Sequence, residues 1–226
     1  MSSVDEVLGR LRGLARPGGR EGMARFGINP ERALGVRIPD IRRLAKELGT
    51  DHSLALSLWR TEVHEARILA SMVADPARVT ERQMESWVKG IDSWDVCDQV
   101  CGNLLDRTPF ARAKSIEWAG REQEFVKRAG FAIMAWRAVH DRAADDREFL
   151  ELLPVIEREA DDPRNFVKKA VSWALRQIGK RSRSLNRAAV QVAKRLADQG
   201  ESAPARWVGR EALRELTSDE LNARLG

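Results

Sequence analysis

Trp94 and Asp98 stand four residues apart in the stretch Ser93-Trp94-Asp95-Val96-Cys97-Asp98, and residues four apart on a helix are neighbours on one face. An indole beside a carboxylate suits a cation with a flat face, because the carboxylate supplies full negative charge and the ring a quadrupole that attracts positive charge. The same spacing also describes a packed Trp beside a satisfied carboxylate, so the rest of the chain has to decide between a pocket wall and core. A second aromatic invites the same question. Trp173 is followed at helical steps by Arg176 and Lys180, an aromatic plate next to cations of the kind that stacks a base and holds its phosphates. Its alternative is a Trp packed between helices, as expected for Trp59 and Trp136; Trp87, Trp118 and Trp207 read as core.

The charge distribution favours a polyanionic partner. Net charge is +5 and the pI about 9.6, but between Pro163 and Arg195 lie Arg164, Lys168, Lys169, Arg176, Lys180, Arg181, Arg183, Arg187, Lys194 and Arg195 without one Asp or Glu. The rest of the chain is therefore net acidic, and a basic band on an acidic body points to nucleic acid. The competing use of that band is pairing with the acidic segment 141–162, where nine Asp and Glu residues face only Arg142, Arg147 and Arg158.

Other chemistries find little support. Cys97 and Cys101 fall four apart on one expected helix, too few for a metal shell of about four ligands, and read as small core residues. His52, His64 and His140 have no ligand-like spacing, so neither a metal nor another cofactor is expected. No apolar run reaches the roughly 18 residues of a membrane span. Asp5 and Glu6 interrupt the N-terminus where a signal peptide would be basic and then apolar, so a cytosolic protein is expected.

The elements that must position these residues all read as helices. Val4, Val7, Leu8, Leu11 and Leu14 recur at helical spacing, and a short connector through Met23 to Phe26 follows the Arg16-Pro17-Gly18-Gly19 break. Pro39 opens a helix to Leu48; Asp51 to Trp59 and Val63 to Ala74 form a pair; Thr80 and Ser93 cap the next two, to Gly90 and about Leu105. Thr108-Pro109 to Trp118, Glu122 to His140, Asp146 to Glu159, Asp162 or Pro163 to Lys180, Ser184 to Ala197, Pro204 to Leu216 and Ser218 to Leu225 complete the series. Phe125-Val126-Lys127-Arg128-Ala129 recurs 41 residues on as Phe166-Val167-Lys168-Lys169-Ala170, and after another 41 as the decayed Trp207-Val208-Gly209-Arg210. That period is the one of stacked two-helix repeats. The expected architecture is all-α: a right-handed α-solenoid of HEAT-like helix pairs in one domain, 1–226, with a concave basic groove shared by Trp94, Arg128 and Trp173. Lys127-Arg128, Lys168-Lys169 and Arg210 would form a ladder of positive charge along it, suited to phosphates.

Trp94-Asp95-Val96-Cys97-Asp98, the Lys127-Arg128-Ala129 helix, and Phe166 followed by Lys169-Ala170-Val171-Ser172-Trp173 and Leu175-Arg176 together resemble the AlkD-type DNA alkylation repair proteins, HEAT-like alkylpurine DNA glycosylases. The resemblance runs from about Met23 to Leu216. It implies that Trp94 and Trp173 are the aromatic walls of a catalytic cleft, Asp98 its carboxylate, Arg128 the cation near the lesion's phosphodiester, and Phe166 a further aromatic. Lys127, Lys168, Lys169, Arg176 and Lys180 would then contact DNA. The implied partner is duplex DNA bearing alkylated bases, acted on by a monomer without a cofactor. One departure is plain: better-known members place a tyrosine near the DNA early in the chain, whereas this sequence has no Tyr, only Phe26 in that region. A non-catalytic module for damaged or structured nucleic acid, and a protein-binding scaffold, are the alternatives.

Overall fold

The computed structural model describes residues 2–225, and every regular element among them is helical. The chain divides into two compact units, Met1–Pro109 and Phe110–Gly226.

The first unit holds α1 (Val4–Gly13), α2 (Gly19–Arg25), α3 (Ile38–Leu48), α4 (His52–Arg60), α5 (His64–Val73), α6 (Glu81–Lys89) and α7 (Trp94–Asn103). Three of them start where the sequence supplies an oxygen for an orphan backbone N–H: Ser3 accepts from Glu6, Asp51 from Leu54 and Thr80 from Gln83. Such caps each contribute about 1 kcal/mol. Two layers result. α5 packs on α3 and α7, and α4 lies against α5 and α1. α6 joins α4 through the parallel stack of Trp59 on Trp87, centroids 4.2 Å apart. Arg67 seals the stack from α5: it lies 5.1 Å from the Trp59 ring and donates to the Gly90 carbonyl at 2.7 Å. α2 differs from the rest because none of its residues is buried. It is held where Gly19 meets Gly35, whose φ is +84°; a Cβ on Gly19 would stand 2.7 Å from the Gly35 oxygen.

The second unit holds α8 (Ala111–Ala119), α9 (Glu124–His140), α10 (Asp146–Leu150), α11 (Leu153–Arg158), α12 (Asn165–Gly179), α13 (Arg183–Gln199), α14 (Ala203–Leu216) and α15 (Asp219–Leu225). The three helices of the 41-residue repeat, α9, α12 and α14, stack side by side, backed by α8 and α13. Their matching positions Val126, Val167 and Val208 are all buried, as are Ala129 and Ala170. Gly130 lets α9 close on α8: an added Cβ would stand 2.6 Å from the Ala119 nitrogen and 2.8 Å from the Ser115 oxygen.

The structure departs from the sequence reading in one element. The helix expected from Asp146 to Glu159 is two, α10 and α11, because Pro154 in the first turn of α11 has no N–H to give the Leu150 carbonyl. Both cysteines are buried and free. Trp118 is sealed in the core and Trp87 nearly so, but Trp207 is only half-buried.

Candidate functional site

In the first unit the chemistry gathers at the start of α7. Ser93 precedes the helix in extended conformation but does not cap it; its Oγ donates instead to Asp95 Oδ1 at 2.6 Å. The other oxygen of Asp95 meets His64 Nε2 at 2.8 Å, tying α7 to the first turn of α5. Both members are largely buried. Burial acts to lower the pKa of His64, but the hydrogen bond and charge of Asp95, with the charges of Glu65 and Asp92, outweigh it and the value is raised. Burial likewise acts to raise Asp95, and the hydrogen bond and charge of His64, with the bonds from Ser93 and the Val96 N–H, hold it lower. Next to His64, the buried carboxylate of Glu65 accepts the backbone N–H groups of Leu34, Gly35 and Val36 at 2.7 to 3.1 Å, strapping the preceding loop onto α5.

That loop returns the chain to Trp94. The Trp94 indole N–H donates to the Phe26 carbonyl at 3.0 Å, which sets the ring's orientation and anchors the end of α2. Phe26 itself is 73% exposed. Trp94 and Asp98 both lie half-buried, one turn apart, and both are engaged by other groups. Behind them, burial, with the neighbouring Cys97, pushes the Cys101 thiol well up, so that sulfur is a packing group and no nucleophile.

In the second unit the cationic candidates sort into two kinds. Lys127 is taken by Glu159 at 2.8 Å and Asp162 at 3.2 Å. Arg164 forks onto the same Asp162, with bonds of 2.9 and 2.6 Å. Burial acts to raise the Asp162 pKa, but the bonds from Arg164 and Lys127 prevail and hold it at about 2. Arg176 and Lys180 both pair with Glu215, Arg181 with Asp146 at 3.4 Å, and Arg195 bidentately with Glu157. Much of the basic band is therefore neutralised, mostly by the acidic segment before it. Arg128 is only 6% exposed, and its guanidinium donates to the Phe166 carbonyl at the start of α12. The ladder expected along α9, α12 and α14 thus has its first rung closed. Lys168 lies over the half-buried Trp207, its Nζ 4.7 Å from the ring centroid. Lys169, Arg187, Lys194 and Arg210 are exposed, without an ion-pair partner among the described residues.

The aromatic candidates of this unit fall into two groups. Phe125 and Phe166 sit 6.0 Å apart. Trp173, half-buried, meets Trp136 edge-on at 5.4 Å, and Trp136 stacks on His140 at 4.9 Å. Trp173 thus packs from α12 against α9 while keeping part of its ring exposed. Among the described residues no group of three His, Cys, Asp or Glu side chains could hold a metal ion, and no helix is long and apolar enough to cross a membrane.

Stacked helix pairs repeating every 41 residues make this a helical-repeat protein. The chain belongs to the DNA alkylation repair enzyme family, whose model matches residues 7–216. No curated protein matches it. A solved structure described as "a new family of proteins related to the HEAT-like repeat DNA glycosylases with affinity for branched DNA structures" is similar in fold, with a TM-score of 0.79 at 20% identity over 94% of both chains. The HEAT-like architecture read from the 41-residue period is therefore the fold of this protein.

Sequence reasoning missed the His64–Asp95 bond, the Glu65 strap and the carbonyl that holds Trp94. Their partners lie 29 to 68 residues apart, and no periodicity marks such pairs.

Proposed function

We propose that this protein binds duplex DNA and releases purines alkylated at N3 or N7 by hydrolysing the N-glycosidic bond. The observation that carries the reading is the half-buried Asp98 carboxylate one turn from Trp94, whose ring is fixed by the Phe26 carbonyl, in a chain of the DNA alkylation repair family. Alkylation at a ring nitrogen makes the base cationic and weakens its bond to C1′. As that bond breaks, its electron pair leaves with the base, which becomes neutral, and positive charge passes to the sugar. Asp98 stabilises this oxocarbenium-like sugar, orients a water to attack C1′ and accepts the proton the water gives up. A carboxylate about 4 Å from a unit charge at an effective dielectric near 20 is worth roughly 4 kcal/mol at most, or up to about a thousandfold in rate.

Trp94 supplies an aromatic face to the charged sugar and base, and Trp173, on α12, offers an aromatic face to the bound strand. Lys168 and Lys169 hold the phosphodiester backbone, with Phe166 beside them on α12. Arg128 serves by position: it fixes the turn of α12 from which those lysines project. Lys127, Arg176 and Lys180 keep their carboxylate partners and add little to affinity.

A second reading is favoured by the fold neighbour with affinity for branched DNA and by the absence of any tyrosine: binding of branched or damaged DNA without catalysis. Single-turnover release of 7-methylguanine from methylated duplex at saturating protein separates the two. The glycosylase reading expects release by wild type and a loss of two to three decades in Asp98→Asn with DNA affinity retained. No release by wild type, with preferential binding to a four-way junction, establishes the second reading; equal release by wild type and Asp98→Asn removes the carboxylate from the mechanism.

A further inference from the structure

We propose a second anion site, separate from Trp94 and Asp98, in the groove between α4 and α6, with phosphate as its ligand chemistry. The groove encloses about 520 Å³. Arg60 enters it from the last turn of α4, Arg78 from the short turn Pro76–Arg78, and Arg82 from the first turn of α6. No carboxylate lines it, and none of the three arginines has an ion-pair partner among the described residues.

Two buried polar atoms point to what the arginines await. His52 is only 6% exposed, lines the groove, and its Nδ1 has no hydrogen-bond partner. Gln83 also lines it, and its buried amide nitrogen has none either. A buried polar group without a partner is costly, at about 1–3 kcal/mol. Two such groups in one arginine-lined groove make a site that an oxyanion satisfies: the Gln83 N–H and the His52 ring each donate, and the guanidiniums supply charge and paired donors.

Geometry also selects against a nucleobase as the group bound in the groove. Trp59 and Trp87 line its floor, but they are stacked on one another 3° from parallel and are nearly buried, so neither offers a free face for a base. Arg67 braces that floor from below. What remains available is a rigid apolar base with cations and neutral donors around it, which is phosphate chemistry. Three arginines spread over the groove suit linked phosphates or consecutive phosphodiesters of a strand.

The test uses the full chain and two probes, sodium pyrophosphate and a short unmodified DNA duplex, followed by calorimetry and by amide shifts at low salt. Saturable binding of pyrophosphate that shifts Gln83 and His52, and weakens at least tenfold in Arg78→Ser/Arg82→Ser, is the expected result. If the source is DNA, the double variant also lowers the salt slope of duplex affinity by about 2, near 0.9 for each lost phosphate contact. If the source is a free polyphosphate, the duplex slope is unchanged. Pyrophosphate binding that the double variant leaves intact, or no saturable binding at millimolar pyrophosphate, overturns the site. The substituted arginines are exposed, so the variants fold; unaltered thermal unfolding verifies this. Asp98→Asn leaves pyrophosphate binding as in wild type, so failure of the site and failure of the glycosylase reading remain distinguishable.

Discussion

Asp95→Asn is expected to destabilise the protein in a way that depends on pH. In the wild type, Asp95 Oδ2 and His64 Nε2 lie 2.8 Å apart, buried between α7 and α5. Asn keeps the shape and hydrogen-bonding capacity but removes the charge. A hydrogen bond to a charged group contributes about 1.5–3 kcal/mol net and a neutral one about 0.5–1.5, so the substitution costs roughly 1–2 kcal/mol. For a chain of this length that is about 2–8 °C in Tm. The His64 pKa is raised above its ordinary 6.5, so its share of stability is fully present below 6.5 and is lost as pH rises through the folded value. The Asp95 pKa is lowered below 3.8, so its share is present above 3.8 and lost as pH falls through the folded value. The gap between wild type and variant is therefore greatest between about pH 4 and 6.5 and narrows on the alkaline side. Urea unfolding of both proteins at intervals from pH 5 to 9 measures it. A gap that stays constant across that range refutes the ion pair as the link between these helices.

Arg128→Ala removes a charged hydrogen bond that ties α9 to the Phe166 carbonyl of α12 and should lower stability by about 1.5–3 kcal/mol, seen as a lower urea midpoint at unchanged slope. With Lys127, Arg164, Arg176, Lys180, Arg181 and Arg195 all paired, about three of the second unit's cations Lys168, Lys169, Arg187, Lys194 and Arg210 remain to contact a given stretch of DNA. Log affinity for undamaged duplex should then fall with log salt at a slope near −3, and a flat response in fluorescence anisotropy refutes electrostatic docking. Asp162, held at about 2 against an ordinary 3.8, gives stability that is present above 3.8 and lost as pH falls toward 2. Asp162→Asn should therefore flatten acid unfolding over that interval, followed by circular dichroism.

The fold was legible because the helical signals are local. The 41-residue echo of Phe125 to Ala129 in Phe166 to Ala170 placed α9 and α12 as neighbours, and the buried valines at matching positions bear that out. The helix at Asp146 was misread because an apolar period continues across Pro154, and periodicity alone does not register a missing N–H. The candidate site was less legible. Spacing places Asp98 beside Trp94, but nothing local shows that a carbonyl 68 residues earlier in the chain holds the indole. Charge counting found the basic band, while its pairing with Asp146, Glu157 and Asp162 depends on which helix faces which. Arg60, Arg78 and Arg82 escaped notice for the opposite reason: they are scattered over 23 residues among acidic neighbours, and only the packing of α4 on α6 gathers them.

Three ion pairs and one hydrogen bond between repeats of the second unit have a kinetic consequence. Arg112 reaches Glu151 across 39 residues, Arg176 reaches Glu215 across 39, Arg195 reaches Glu157 across 38, and Ser202 reaches Asp161 across 41. Each links one repeat to the next. Closing a loop of that length costs little more for one pair than for another, since the entropy grows only with the logarithm of length. Any two adjacent repeats can therefore close first, and the remainder add on either side, each bringing charges opposite to those already in place. Folding of this unit should spread outward from whichever neighbouring pair forms, with no single obligatory nucleus.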